Sequence, residues 1–464
     1  MPKLAEFERY MNHLCEALGH RDRHAGFADY SRGLMLPIER KSVEPLAAHT
    51  DPLHVSAKHQ SLHHLVAKSE WSDTAILGCV REWVTSRFER KSKYYWIVDD
   101  TGFPKKGGHS VGVARQYCGI LGKQDNCQVA VSLSLATEHG SVPIGWRLYL
   151  PKPWVEDQRR RRKAGVPREV KFLTKPDIAL EQIRAAKAAG VALGIVLADA
   201  GYGNETAFRE ALSEMELRYC VGVQSSTTVW SQGTGPVPPK PRKTMGRPPT
   251  RWRRASGATP VSVKALAESL KAIGWHTVSW REGTNAVLRS RFAALRVRAA
   301  HRDEGRSTLR EEQWLLIERP TGESEPTKYW LSTLSADTPL VDLVRVAKMR
   351  WRIERDYQEL KQEFGLSHYE GRGWRGFHHH ATLCIAAYGF LLAERLKHGA
   401  SKKNPTRSKT AALPPGYTPR GSHTNPTSRA RFDRDAALHL GLRHRKTAPP
   451  LSVLQRDEST LMTQ

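Results

Sequence analysis

Residues 94–110 read YYWIVDDTGFPKKGGHS. An apolar run rich in aromatic and β-branched residues ends in two acids, the pattern of a strand that delivers a carboxylate at its polar end. Residues 194–204, GIVLADAGYGN, repeat the device with Asp199. In residues 350–366, RWRIERDYQELKQEFGL, Glu354 sits on an amphipathic helix. Alone, DAGYG would read as a turn or N-cap, and the Glu354 segment as a surface helix with i,i+4 ion pairs. Three carboxylates brought together from separate elements repel one another, and a pair of divalent cations is the usual counter-charge. Hard cations held by oxygens point to phosphoryl transfer.

Outward from 94–110 the strand pattern continues. CQVAVSLSLA (127–136) and VPIGWRLYL (142–150) complete three β-rich runs separated by Gly-containing turns. A helix at 176–189, the strand GIVLADA, a helix from Asn204 to about Leu217 and the strand YCVGV follow. Three strands and then alternating helix and strand make an α/β sheet of mixed direction, the order of an RNase H-like core. Residues 1–90 carry helical periodicity, with Ser72 or Asp73 as an N-cap, and read as a helical N-terminal domain for DNA-end binding or dimerisation, or equally as a plain packing domain. The first part of the core spans 91–223. Residues 224–335 hold a basic Pro/Gly-rich linker and then four strand candidates, WHTVSWRE, AVLRSRFAALRVRAA, QWLLIERP and TKYWLSTL, as a β-rich insertion domain. The Glu354 helix, beginning near Val341, completes the core within 336–397. From 398 to 464 a basic tail is disordered until bound, since residues 401–450 hold eleven Lys or Arg against two acids.

The 464-residue chain carries a formal charge of +26, which suits a polyanionic partner, DNA or RNA. Six cysteines without a CxxC pair or zinc-like spacing indicate neither a zinc finger nor a disulfide framework. The N-terminus lacks the apolar stretch of a signal peptide and no segment is long enough to span a bilayer, so the expected location is the bacterial cytoplasm, on the nucleoid when bound.

Strand alternation sends Asp99 and Asp100 to opposite faces, and Asp100 is assigned as the metal ligand with Asp199 and Glu354. Arg350, Glu354, Tyr357 and Lys361 follow at i, i+4, i+7 and i+11, one face of a helix, so Arg350 and Lys361 can hold backbone phosphates beside the acid. Further DNA contacts are expected from Lys105 and Lys106, from the run Arg159, Arg160, Arg161 and Arg162, and from Arg247 and Arg251 in TMGRPPTRWRR, a partial match to a minor-groove Arg-Pro core. A solvated charge run and a flexible basic loop are the plainer readings of the last two. His378, His379 and His380 point about 100° apart on a helix and cannot share one ion. Structural or phosphate-contacting roles fit them better.

Several long motifs agree in order: DDTGFPKKGGHSVGVARQYCGILGK, NCQVAVSLSLA, WRLYLPKPW, ADAGYGN, VGVQSSTTVW and YEGRGWRGFHHHATLC. With them the chain resembles the DDE transposases of insertion-sequence family 701, within the group whose Glu helix carries a Tyr-Arg-Glu-Lys signature, over about residues 5–395. The resemblance implies an RNase H-like core with a β-rich insertion between the second Asp and the Glu, and catalytic acids at Asp100, Asp199 and Glu354. It implies Mg²⁺ in two-ion phosphoryl transfer, with Mn²⁺ as a substitute, and a homodimer on paired terminal inverted repeats that joins element ends to target DNA. Arg350, Glu354 and Lys361 keep the signature spacing, whereas Ala347 stands where the signature has Tyr, so no hairpin intermediate is inferred. A metal-dependent nuclease of the same fold without integration, and a non-catalytic DNA-binding regulator, are the alternatives.

Overall fold

The computed structural model describes residues 2–239, 250–254, 258–282, 287–303 and 306–401. Five helices come first, α1 (Pro2–Cys15), α2 (Asp22–Met35), α3 (Val43–Thr50), α4 (Val55–Ala67) and α5 (Asp73–Thr85). Ser72 caps α5 by accepting from the Ala75 amide at 3.1 Å, as a Ser before an apolar-periodic run should.

The sheet opens with β1 (Tyr95–Pro104), β2 (Ala114–Cys118), β3 (Lys123–Ala136) and β4 (Ser141–Leu148). Then follow α6 (Lys152–Glu156), α7 (Gln158–Ala164) and α8 (Lys175–Ala188), and after them β5 (Ile195–Ala198), α9 (Ala200–Gly203), α10 (Thr206–Glu214) and β6 (Tyr219–Val223). In space the core strands run β4-β3-β1-β5-β6, antiparallel from β4 to β1 and parallel from β1 to β6. The fold class is therefore the mixed-direction, RNase H-like α/β sheet read from the sequence. β2 is an addition to that reading, pairing with the start of β3 as an antiparallel arm.

The insertion supplies β7 (Thr228–Ser231), β8 (Val261–Ser262), α11 (Val263–Glu268), β9 (His276–Glu282), β10 (Val287–Ala299), β11 (Gln313–Arg319) and β12 (Lys328–Ser332). The linker reading of 224–262 is corrected by β7 and β8: Val229 and Trp230 bury their side chains, and β7 pairs with β10. β12 pairs antiparallel with β6, so core and insertion form one sheet of twelve strands. A smaller apolar cluster around Val229, Val263, Leu315, Ile317 and Leu331 packs the insertion.

The chain returns through α12 (Leu340–Lys348), α13 (Trp351–Gln362) and α14 (Trp374–Ser401). The single helix expected from Val341 is in fact two, α12 ending just before Met349 and α13 starting at Trp351. α14 is the central pillar, buried from Phe377 to Ala393. The Tyr10 hydroxyl donates to the Ala386 carbonyl at 2.8 Å, and Phe7 meets Phe390 edge-on at 5.1 Å. The N-terminal helices thus share one apolar core with the sheet and α14.

Candidate active site

Trp96, Ile97 and Val98 are buried along β1, Asp99 and Asp100 are partly exposed, and Thr101–Phe103 are buried again, so the acids lie within the strand and not at its end as the apolar run suggested. β5 runs parallel beside it with Tyr95 opposite Ile195 and Ile97 opposite Leu197. Two residues further in that register, Asp199 stands level with Asp99. Asp199 caps α9, accepting from the Gly201 amide at 2.9 Å. Gly203 ends this short helix where a Cβ would come within 2.1 Å of the Gly222 carbonyl on β6, so only glycine lets α9 press against the sheet.

Arg350 lies at the joint between α12 and α13. Its guanidinium donates to Asp99 Oδ2 at 2.6 Å and to Glu354 Oε1 at 2.7 Å. Burial opposes its charge, but Asp99, Glu354 and Asp199 together outweigh burial and hold the guanidinium protonated beyond its usual range. Asp99, with 15% of its side chain exposed, is pushed up to about 7 by burial, with Asp199 and Asp100 adding to the rise and Arg350 opposing it. Asp100 has other partners: Lys175 Nζ at 3.0 Å and the Tyr202 hydroxyl at 3.3 Å, both donating to Oδ2. Tyr202 is buried and its phenol is held far on the protonated side, first by burial and then by Asp100 and Asp99. Glu354 is exposed and, with Asp199, Lys328, Trp330 and Arg350, lines an open cleft between the sheet and α12–α13.

The opposite side of α13 is sealed. Asp356 is fully buried and accepts from Ser141 at 2.6 Å, Tyr388 at 2.9 Å and Ser134 at 3.0 Å. Burial lifts its carboxyl to about 7 against those three donors. Tyr357, placed on the Glu354 stripe by helical spacing, is buried and shares a 2.7 Å hydrogen bond with Ser132.

The cations expected to meet DNA divide into two sets. Lys361 donates to the Gly102 carbonyl at 2.9 Å and lies 4.9 Å over the Phe103 ring, and burial pushes its amine down to about 8. Lys105 donates to the Tyr369 carbonyl at 3.0 Å, Arg160 stacks 3.7 Å over Trp154, and Arg161 donates to the carbonyls of Pro167 and Val170 at 2.8 Å. Lys106, Arg159, Arg162 and Arg251 are exposed. Arg247, most of the TMGRPPTRWRR segment and the tail from 402 lie outside the described residues.

The three histidines are structural. Leu148 N–H donates to His378 Nε2 at 3.2 Å, so Nδ1 carries the proton and donates to the Trp374 carbonyl at 2.9 Å. His379 stacks on Trp71 at 3.6 Å, and His380 bonds Tyr30 at 2.9 Å and the Gly365 carbonyl at 3.0 Å. Burial lowers all three, His379 and His380 to about 4.

Sequence reading missed Lys175, Tyr202 and Lys348. Tyr202 stood inside the quoted ADAGYGN motif, and Lys175 follows the Thr174 cap of α8. Lys348 had no signal. Its amine meets both oxygens of buried Glu318 at 2.6 Å and lies 4.5 Å over Trp280, 5.5 Å over Phe292 and 5.4 Å over Trp330, all in the insertion.

Asp99, Asp100, Asp199 and Glu354 offer oxygen alone, the donor type that suits a hard divalent cation. The cost of charging Asp99 is the kind of penalty such a cation removes. Among the described residues no three His, Cys, Asp or Glu side chains lie close enough to hold one ion, and Arg350 and Lys175 supply the counter-charge. All six cysteines are free thiols, and no helix among the described residues is long and apolar enough to cross a membrane.

The chain has similar proteins. The model of the family described as DDE superfamily endonuclease matches residues 13–287, a span that includes Asp100 and Asp199 and stops before Glu354. A stretch of 168 residues is 34% identical to the probable transposase for insertion sequence element IS701 from Microchaete diplosiphon. That stretch covers 36% of this chain and 41% of the relative, so the match spans about two fifths of the relative's length.

Proposed function

Because the chain belongs to the DDE superfamily of endonucleases, we propose that it is the DNA transposase of an insertion sequence, cutting element ends and joining them to target DNA. One observation carries this reading most: Asp99 from β1, beside Asp100, Asp199 from the end of β5 and Glu354 from α13 all bear on the single guanidinium of Arg350, while Asp100 is held by Lys175 and Tyr202. Asp100, Asp199 and Glu354 would hold two Mg²⁺ ions, or Mn²⁺ in their place, and ions bound there would activate the attacking hydroxyl and neutralise charge on the phosphate.

The chain's own residues prepare that site. Lys175 and Tyr202 fix the rotamer of Asp100 from one side, and the Gly201 amide fixes Asp199. Arg350 and Lys328 present cations to the cleft at the depth where a DNA phosphate would lie beside Glu354. Arg350 releases Glu354 at little cost, since Asp99 keeps the guanidinium in place. The partners are double-stranded DNA with terminal inverted repeats and target DNA, with a homodimer synapsing two ends. Ala347 lines the cleft in place of the signature Tyr, and no hairpin step is included.

The experiment uses the full chain, Mg²⁺ and a duplex carrying the inverted repeat that flanks the gene. Release of a 3′-hydroxyl end and its joining to a second duplex are expected, both lost in Asp199→Asn and Glu354→Gln. Cutting without joining would make the protein a nuclease, and binding without cutting in Mg²⁺ and Mn²⁺ would make it a regulator.

A further inference from the structure

The antiparallel arm made by β2 and β3 ends in an apolar tip that nothing in the site uses. Nine large apolar residues stand exposed among the described residues, and three fall within five positions here: Tyr117 (59%), Ile120 (60%) and Leu121 (42%). Along β2, Arg115 and Tyr117 point outward while Cys118 is buried, and the chain reverses through Gly119–Leu121 with Gly122 at φ +63°. The arm is firmly rooted. Gln116 Nε2 donates to the Cys127 carbonyl at 2.9 Å, and a Cβ on Gly102 would meet Cys118 Sγ at 2.7 Å, so the arm is seated on β1 two residues past Asp100.

We infer that this tip is a wedge for duplex DNA, inserted between base steps beside the cleavage point. Charge supports that occupant: Arg115 and Lys123 are exposed on the arm, and exposed Lys106 lies in the loop that Asn126 holds at its base through the carbonyls of Lys105 and Gly107. Lys123 also faces partly exposed Asp125 at 3.5 Å, a contact weak enough to exchange for a phosphate. Size decides against a second copy of the chain. Stable protein interfaces bury about 800 Å² per partner, far more than three side chains offer, whereas one or two apolar side chains suffice to unstack and kink a base step. Reach fixes the place: a Cβ on Gly102 would meet the Cys118 Cα at 3.5 Å, and Gly102 lies two residues from Asp100 as Ile120 lies two from Cys118, which sets the tip within roughly 20 Å, or about six base pairs, of Asp100.

The inference rests on the DNA-processing reading, and its test separates the two. The full chain with Ile120→p-benzoylphenylalanine is irradiated with a labelled 40-bp duplex of mixed sequence. A protein–DNA adduct is expected. Ile120→Ser with Leu121→Ser should weaken duplex binding about tenfold with the same dependence on salt, because the lost contact is apolar. Arg115→Ala should lower the salt slope by about one. Adducts only between protein chains, no adduct, or unchanged affinity in the double Ser variant would each overturn the wedge. DNA adducts in a protein that never cuts DNA would overturn the transposase reading and leave the wedge standing.

Discussion

The two halves of the twelve-stranded sheet are held by different physics. In the core half, apolar residues fill both faces of β1 and β3, and the polar groups beneath α13 are neutral hydroxyls gathered on Asp356. In the insertion half, ions lie against aromatic rings: Lys348 among Trp280, Phe292 and Trp330, Arg319 over Trp275 at 4.6 Å, and Arg296 over Trp314 at 5.1 Å. The core half aims carboxylates, which Lys175 and Arg350 hold from the solvent side while neutral packing supports the strands beneath. The insertion half holds cations against its rings, and one of them, Lys348, comes from the end of α12, two residues before Arg350. The contrast teaches that the insertion positions the Glu354 helix as well as covering the cleft.

The largest expected effect tests the core half alone. Asp199→Asn should lower cleavage by about a thousandfold or more, some 4 kcal/mol, with the melting temperature nearly unchanged. Next, Lys348→Met strands the buried Glu318 carboxylate and should cost about 3–5 kcal/mol of stability by denaturant unfolding. Lys348→Met with Glu318→Leu should recover much of that stability while cleavage stays impaired. Full recovery of cleavage would reduce the insertion to a cover. Asp356→Asn places an amide where three hydroxyls donate and should cost about 2 kcal/mol, without changing DNA affinity.

The smallest effect concerns pH. His380 is held neutral, its pKa lowered from 6.5 to about 4, so the unfolded chain takes up a proton first as pH falls below 6.5. Its share of stability is intact above 6.5 and is lost progressively toward pH 4. Asp356 titrates in the opposite sense, so the useful measure is the gap between wild type and His380→Gln. That gap should shift against wild type by about 1.4 kcal/mol between pH 7.5 and 5.5. A constant gap would show that His380 is not kept neutral by the fold.

Much of this architecture was legible in the sequence because its signals are local. The apolar runs ending in Asp100 and Asp199 are short-range patterns, and they mark β1 and β5 directly. β7 and β8 escaped because a few residues of strand inside a Pro- and Gly-rich stretch carry no period to read. The break between α12 and α13 escaped because Arg350 keeps helical φ and ψ, so the residues at the joint look like helix. Lys361 looked like a phosphate ligand because spacing reports a face and not what packs against it. The Lys348 cage was invisible for a different reason: its four partners lie between 18 and 68 residues upstream, on four strands whose pairing the sequence does not announce.

The pairing of β12 with β6 has an implication for anyone who would trim this protein. Cutting away the insertion between β6 and α12 would leave β6, buried from Tyr219 to Val223, as a bare apolar edge of unsatisfied amides and carbonyls. Such an edge recruits other chains. A shortened version would therefore precipitate as cross-chain sheet unless a new strand or a charged residue guarded that border, and the insertion is in this sense the core's protection against self-association.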